Sequence, residues 1–461
     1  MIIAAMLLCT CGGGGGEEST DDSPPPNLPQ TSSWERFNVI DLERNAPLLP
    51  QITAVADNQG GVHIFYYKKG ELYQNLESRY LLHHLTWDTQ TAAIVGVPEI
   101  IEVTPATPDS DGLNNTNILA AALDGNGVPL VIYQGGQVPQ APDGTVCNAT
   151  AQGDLMITLF DQQWEERLGI EGDASPKNPY FTDGYIGLNA SVAVDSQGNV
   201  HTAAQHYYEF CDWNSSLYPN LLYARHTPAQ LAQGVHSTAM EQIVDEPNIY
   251  SGGAAQQQAS MGNYCKLVLD GQDNPMIFYV GTPSGAQGGD SRTSLRMARL
   301  EANVWTPEIV EVLDDWSVAS LSADVDSQGT PGVAYFMKEN PDDSDHPNHL
   351  RYAQRASDGT WNSAVVDNSS NCGDFCSLAF DGQNRPAVAY YDIHANAGSY
   401  RQNQNLRFAR NEGGQWRTET VATAGDIGQY NTLWFGADGT AYICTYEFNA
   451  QQIVIFRKRS V

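Results

Sequence analysis

Residues 376–392 read CSLAFDGQNRPAVAYYD. Two short apolar runs, 377–380 and 387–391, flank the polar segment Asp381-Gly382-Gln383-Asn384-Arg385, the pattern of a β-hairpin. Asp can bond the turn backbone with its carboxylate, Gly can take a positive φ, and Pro386 is tolerated where a strand begins.

Copies of this unit recur along the chain, indexed on the turn residue. They are Asp57 (TAVADNQGGVHIFYY), Asp124 (AAALDGNGVPLVIY), Asp195 (SVAVDSQGNVHTAAQHYY), Asp270 (KLVLDGQDNPMIFYV), Asp326 (SADVDSQGTPGVAYF), Asp381, and a degenerate copy at Gly436 (TLWFGADGTAYICTY). By subtraction the spacings are 67, 71, 75, 56, 55 and 55 residues. Self-similarity at such a period signals an array or a propeller. In the better copies a third strand follows the hairpin (NLLYAR from Asn220, SLRMAR from Ser294, HLRYAQ from His349, NLRFAR from Asn405), then a fourth opening on Trp305, Trp361 or Trp416. Four antiparallel strands per unit make a propeller blade.

The seventh unit stops after its third strand, and Trp34-Glu35-Arg36-Phe37-Asn38-Val39-Ile40-Asp41 stands ahead of the first unit like an orphan fourth strand. The expected fold is therefore all-β: a seven-bladed propeller over residues 31–461, closed by an N-terminal strand in the last blade. Composition agrees, because 461 residues exceed one ordinary core unless repeats extend it, and 42 glycines and 22 tyrosines suit a turn-rich β chain. The balance of 54 acidic against 23 basic residues gives a formal charge of -31. Such a surface repels phosphate backbones and anionic headgroups, which argues against nucleic acid as a partner.

Residues 1–11, MIIAAMLLCTC, followed by a glycine run and the acidic, Pro-rich tract up to residue 30, resemble a bacterial lipoprotein signal and tether. Leu8 and Thr10 ahead of Cys11 match the lipobox, which makes Cys11 the expected lipidation site. A cleaved secretory signal is the alternative, and both imply export, either lipid-anchored in the cell envelope or secreted. The apolar run is too short to span a bilayer, which takes about 20 residues, so the membrane is met only through the anchor. A monomer is expected. The repeats resemble the propellers of exported bacterial proteins and, more loosely, the Asp-box propellers of the sialidase superfamily, with Ser357-Asp358-Gly359-Thr360-Trp361 one residue short of an Asp-box. That likeness implies architecture and not chemistry.

In a propeller the loops from second to third strand and from blade to blade share one face. Here those loops are long (134–153, 209–219, 281–292, 338–348, 392–404), so a binding site is expected there. Tyr66, Tyr133, Tyr279, Tyr335 and Tyr390 stand nine residues after the turn Asp and read as a packing layer with each hydroxyl tied to a backbone group. Tyr67, Phe336, Tyr391 and Tyr446, one position further, and Tyr207 and Tyr208 are the aromatic candidates for a sugar platform. His206, Glu209, Asp392 and His394 form a His and carboxylate set suited to acid-base work on a polysaccharide, by hydrolysis or elimination. Asp342, Asp343 and Asp345 offer oxygen ligands for Ca²⁺ but lack the Gly and distal Glu of an EF-hand, and no other cofactor is implied. Arg296, Arg351 and Arg407 are repeat-equivalent and expected to pair with surface acids. Cys147 with Cys211, and Cys372 with Cys376, are candidate disulfides of an oxidising compartment, whereas Cys444 reads as a buried thiol. The favoured reading is a surface module binding a glycan or a protein, the alternative is a polysaccharide hydrolase or lyase, and a structural scaffold is the third possibility.

Overall fold

A computed structural model describes residues 33–42, 51–69, 80–101, 119–135, 154–161, 163–170, 184–208, 220–237, 240–246, 260–283, 292–313, 317–338, 348–369, 371–393, 404–423 and 425–459. Among them are seven four-stranded antiparallel sheets. Blades 1 to 6 span residues 52–101, 119–170, 184–245, 260–312, 317–367 and 371–422. Blade 7 combines residues 427–458 with the strand Glu35–Asp41. The first strands of neighbouring blades pack on one another all the way round, blade 7 onto blade 1 included, so they form the inner wall of a closed ring.

Each hairpin is built by its turn Asp. In blade 6 the Asp381 carboxylate accepts the backbone N–H of Gln383 at 2.9 Å and of Arg385 at 3.0 Å. The same pair of bonds recurs at Asp57, Asp124, Asp195, Asp270 and Asp326. The third residue after the turn Asp takes a positive φ, as Asn384 does at 60° and Gly198 at 79°, which is why Gly or Asn recurs there. Pro386 opens the strand Pro386–Ile393 as expected, and Pro129, Pro275 and Pro331 do the same in their blades. The first strands run longer than their apolar runs: Asn371–Phe380 begins six residues before Ser377 and carries two register shifts.

Blades are fastened by repeated contacts. Ser191, Ser322 and Ser377 each accept the backbone N–H of a leucine on the next blade's first strand (Leu267, Leu378 and Leu433) at 2.9–3.0 Å. Tyr279, Tyr335 and Tyr390 are fully buried, and their hydroxyls donate to Asp245, Glu311 and Asp367 at the ends of the preceding blade's fourth strands. These partners are carboxylates, where backbone groups were expected. Arg296, Arg351 and Arg407 lie directly across from those tyrosines and bind the same three acids at 2.6, 3.0 and 2.9 Å. The arginines do meet acids, but inside the seams between blades and not on the open surface.

Closure repeats an internal pattern. The Trp305 indole donates to Gln242 at 2.9 Å and that of Trp361 to Glu308 at 3.0 Å, both on the preceding blade's fourth strand. Trp34 makes the same bond to Glu419 at 3.0 Å and meets Phe408 edge-on at 5.3 Å. Glu35–Asp41 pairs with Gln452–Lys458, so blade 7 has four strands like the other six and the chain's two ends are joined in one sheet.

Cys372 and Cys376 are not bonded to each other, which corrects the small-loop disulfide. Their thiols turn to different backbone carbonyls, Cys372 to that of Asp367 at 3.4 Å and Cys376 to that of Ala334 at 3.6 Å. Cys265, the repeat-equivalent of Cys376, points at Ala203 in the same way, and Cys444 is a buried thiol as expected. Cys11, Cys147 and Cys211 lie outside the described residues.

Candidate functional site at the channel mouth

Three inner strands share a device at their long-loop end. The segments Gly262-Asn263-Tyr264, Gly373-Asp374-Phe375 and Gly428-Gln429-Tyr430 coincide with register shifts in blades 4, 6 and 7. Each glycine has a positive φ (91°, 129° and 117°), and a Cβ there would fall within 2.9–3.2 Å of Leu221, Phe336 or Tyr391 of the preceding blade. Two residues on, Tyr264, Phe375 and Tyr430 themselves hold φ of 55°, 47° and 53°. A bulky side chain in this region costs on the order of 1–3 kcal/mol, and such strain concentrates at ligand sites. The kink is held by Asn431, whose amide donates to the Phe375 carbonyl at 3.0 Å and to that of Gly428 at 2.8 Å. Phe375 in turn packs on Tyr430 at 4.9 Å and on Tyr391 at 5.9 Å.

Asp374 lies at the centre of this arrangement. Burial pushes its carboxyl up to about 6, against the Phe375 N–H it accepts at 2.8 Å and the ammonium of Lys338. Its charge is felt by Tyr264 of blade 4 and by Tyr430 of blade 7, whose phenols burial drives above their ordinary range. Blade 5 stands between blades 4 and 6, so Tyr264 and Asp374 come from blades that share no seam. Lys266, on the same inner strand as Tyr264, is lowered by burial. The mouth therefore holds a carboxyl raised by burial next to the packed rings of Phe375, Tyr391 and Tyr430, and that carboxyl can donate or accept a proton beside aromatic faces.

The residues singled out from sequence are distributed differently. His206 is buried near the end of Val200–Tyr208 in blade 3, and Asp392 is buried near the end of Pro386–Ile393 in blade 6, 3.5 Å from Arg407. They belong to blades that share no seam, with blades 4 and 5 between them in chain order. Glu209 and His394 lie outside the described residues, as do Asp342, Asp343 and Asp345. Tyr207 and Tyr208 belong to the strand Val200–Tyr208 and pair with Tyr185 and Gly184. Tyr67, Phe336, Tyr391 and Tyr446 are buried between blades, and the Tyr391 hydroxyl donates to Asp426 at 2.5 Å. Among the described residues no group of three His, Cys, Asp or Glu could hold a metal ion. Thiol nucleophiles are also unsupported, because burial pushes Cys265 and Cys376 up to about 12. Sequence reasoning missed Asp374, Tyr264 and Tyr430. Their signal was the Gly-x-aromatic triplet beginning eight residues before the index residue in three units.

The fold is a seven-bladed propeller, an architecture it shares with two solved polysaccharide lyases. An ulvan lyase of polysaccharide lyase family PL25, solved bound to -[GlcA(1-4)Rha3S]-, superposes with a TM-score of 0.56 at 12% identity over 87% of this chain and 90% of that one. The polysaccharide lyase Uly1 gives 0.53 at 11% identity over 92% of each chain. A Hadza microbial sialidase, Hz136, gives 0.45 at 12% identity over 82% and 73%. No protein-family model matches the chain, and no curated protein matches it.

Proposed function

We propose that the protein processes a glycan at the long-loop mouth of its channel, with Asp374 as the proton donor. The observation that carries this is the kinked Gly-Asp-Phe segment at the mouth, where the Asp374 carboxyl, raised to about 6 by burial, accepts the Phe375 N–H at 2.8 Å and Phe375 packs on Tyr430 at 4.9 Å. A group poised near neutrality, beside aromatic rings held in strained backbone, is what bond cleavage requires and simple adhesion does not. Asp374 delivers its proton to the leaving glycosidic oxygen as the C–O bond breaks, while Phe375 and Tyr430 bear on the sugar ring. The carbon it leaves either takes the hydroxyl of a water whose second proton returns to the carboxylate, or forms a double bond as the adjacent C–H proton passes to solvent. The likeness to two polysaccharide lyases over nearly the whole chain supports a glycan as substrate. Export to the cell envelope, expected from residues 1–30, places such a protein where polysaccharides are met.

The test is a screen of the purified chain against neutral and uronate-containing polysaccharides, reading both new reducing ends and the ultraviolet absorbance of unsaturated products. Asp374→Asn should abolish whichever product appears while leaving the fold intact. Turnover unchanged in that variant would overturn the assignment. A second reading, a glycan-binding module without turnover, is favoured by the internal pairing of Tyr391 with Asp426 and of Asn431 with backbone carbonyls. Binding without product in the same screen would establish it.

A further inference from the structure

The opposite face of the ring, where the turns are short, carries a cavity of about 360 Å³ between blades 3 and 4. Its wall contains a buried relay. Asp195 and Tyr223 flank His201, with the Asp195 carboxylate 3.1 Å from Nε2 and the Tyr223 hydroxyl 2.7 Å from Nδ1. Burial lowers His201, so the imidazole is neutral, and although burial opposes its ionisation Asp195 is held at about 2 by Asn199, His201 and backbone N–H groups. The repeat shows that the fold does not require this. The position of His201 is Met276 in blade 4, Gly332 in blade 5 and Ala387 in blade 6, and in blade 1 it is His63, which lies 3.7 Å from the turn Asp57 but faces Thr86 in place of an arginine.

Arg225 departs from the repeat in a second way. It lies across from His201, and the arginines at the same register, Arg299, Arg410 and Arg457, are each neutralised by a nearby glutamate: Glu301 at 3.2 Å, Glu412 at 2.8 Å and Glu35. Two residues after Arg225 stands Thr227, which caps the helix Pro228–Gln233, so the glutamate is missing. Among the described residues Arg225 meets only Asp195, at 3.5 Å, a carboxylate already held by Gln197, Asn199 and His201. Its side chain is 48% exposed, against 27%, 31% and 12% for the three equivalents. The other acid of the cavity, Asp273, is turned toward Ser196, whose backbone N–H it accepts at 3.1 Å.

We propose that this cavity is a second ligand site, taking one carboxylate-bearing sugar residue whose carboxylate is gripped by the Arg225 guanidinium. A planar guanidinium with open N–H groups fits a carboxylate in two-point fashion. The side-chain amides of Gln242 and Gln272 supply neutral groups suited to sugar hydroxyls, and the volume admits one or two pyranose rings. The site lies on the face away from Asp374, so it binds without reaction and stands independently of the reading of the mouth.

The experiment is saturation-transfer NMR on the whole chain with sodium glucuronate, glucose and sodium acetate as separate probes, in the unaltered protein, Arg225→Gln and Asp374→Asn. Glucuronate should bind the unaltered protein and Asp374→Asn alike, and Arg225→Gln should weaken it roughly tenfold, as for loss of a charge-assisted pair. Glucose and acetate should each bind more weakly than glucuronate. An equal melting temperature for Arg225→Gln and the unaltered protein keeps unfolding out of the comparison. Glucuronate binding that survives Arg225→Gln, binding abolished by Asp374→Asn instead, equal binding of acetate or glucose, or no binding at all would each overturn the proposal.

Discussion

At the scale of single residues, a carboxyl's environment decides its use. Asp374 has an ordinary value of 3.8 and a folded value of about 6, so between those pH values the native state holds a proton that the unfolded chain releases. Its contribution to stability is present below about pH 4 and lost as pH rises through about 6. Two pH units set a ceiling of ~3 kcal/mol, and the carboxyl's partial access to solvent brings the figure to about 1 kcal/mol. Asp374→Asn should therefore melt about 1–2 °C above the unaltered protein at pH 7.5, with the difference vanishing at pH 4, as calorimetry at both values will show. Arg407 works in the reverse sense: it binds Asp367 at 2.9 Å and Asp392 at 3.5 Å, both buried. Arg407→Gln should destabilise the fold by about 3 kcal/mol in urea unfolding, because two buried acids lose their shared cation. The turn aspartates were readable from sequence since their role is local, two backbone bonds within four residues. Asp374 was not, because its shift arises from burial in the folded ring, which local sequence does not reveal, and the bulge beside it breaks the alternation that reveals a strand.

At the scale of elements, the fourth strand of the last blade is the informative case. Trp34 could be recognised because Trp305 and Trp361 open fourth strands elsewhere, and all three indoles bond the preceding blade's fourth strand. A repeated contact leaves a repeated residue, and that made the ring's closure legible. Strand lengths were less so, since the inner strands reach the mouth through polar, kinked segments such as residues 371–376. Deleting residues 33–42 removes the partner of Gln452–Lys458 and opens a sheet edge flanked by the buried Val454 and Phe456. The shortened chain should melt many degrees lower and associate, as differential scanning calorimetry and light scattering will report. Trp34→Ala alone should lose about 3–5 kcal/mol, the ordinary penalty for truncating a buried Trp, whereas Trp34→Phe should lose less by keeping the contact with Phe408.

At the scale of the whole molecule, two long-range forces oppose each other. Ion pairs fasten the seams between blades, and added salt weakens such pairs where they are exposed. Against them stands a formal charge of -31, from 54 acids that the 23 bases cannot neutralise, so the summed surface field is repulsive. The seam pairs are shielded already: the side chains of Arg296, Arg351 and Arg407 are 17%, 20% and 15% exposed, and salt screens them little. The surplus of acids over bases acts at longer range and is screened within a Debye length of about 10 Å at 0.1 M. Repulsion is therefore the force that salt removes. The melting temperature should rise by several degrees between about 10 mM and 500 mM NaCl, steeply at first and then levelling as the Debye length falls below the spacing of surface acids. A melting temperature that fell with salt would mean that exposed pairs, and not the seams, hold the ring closed.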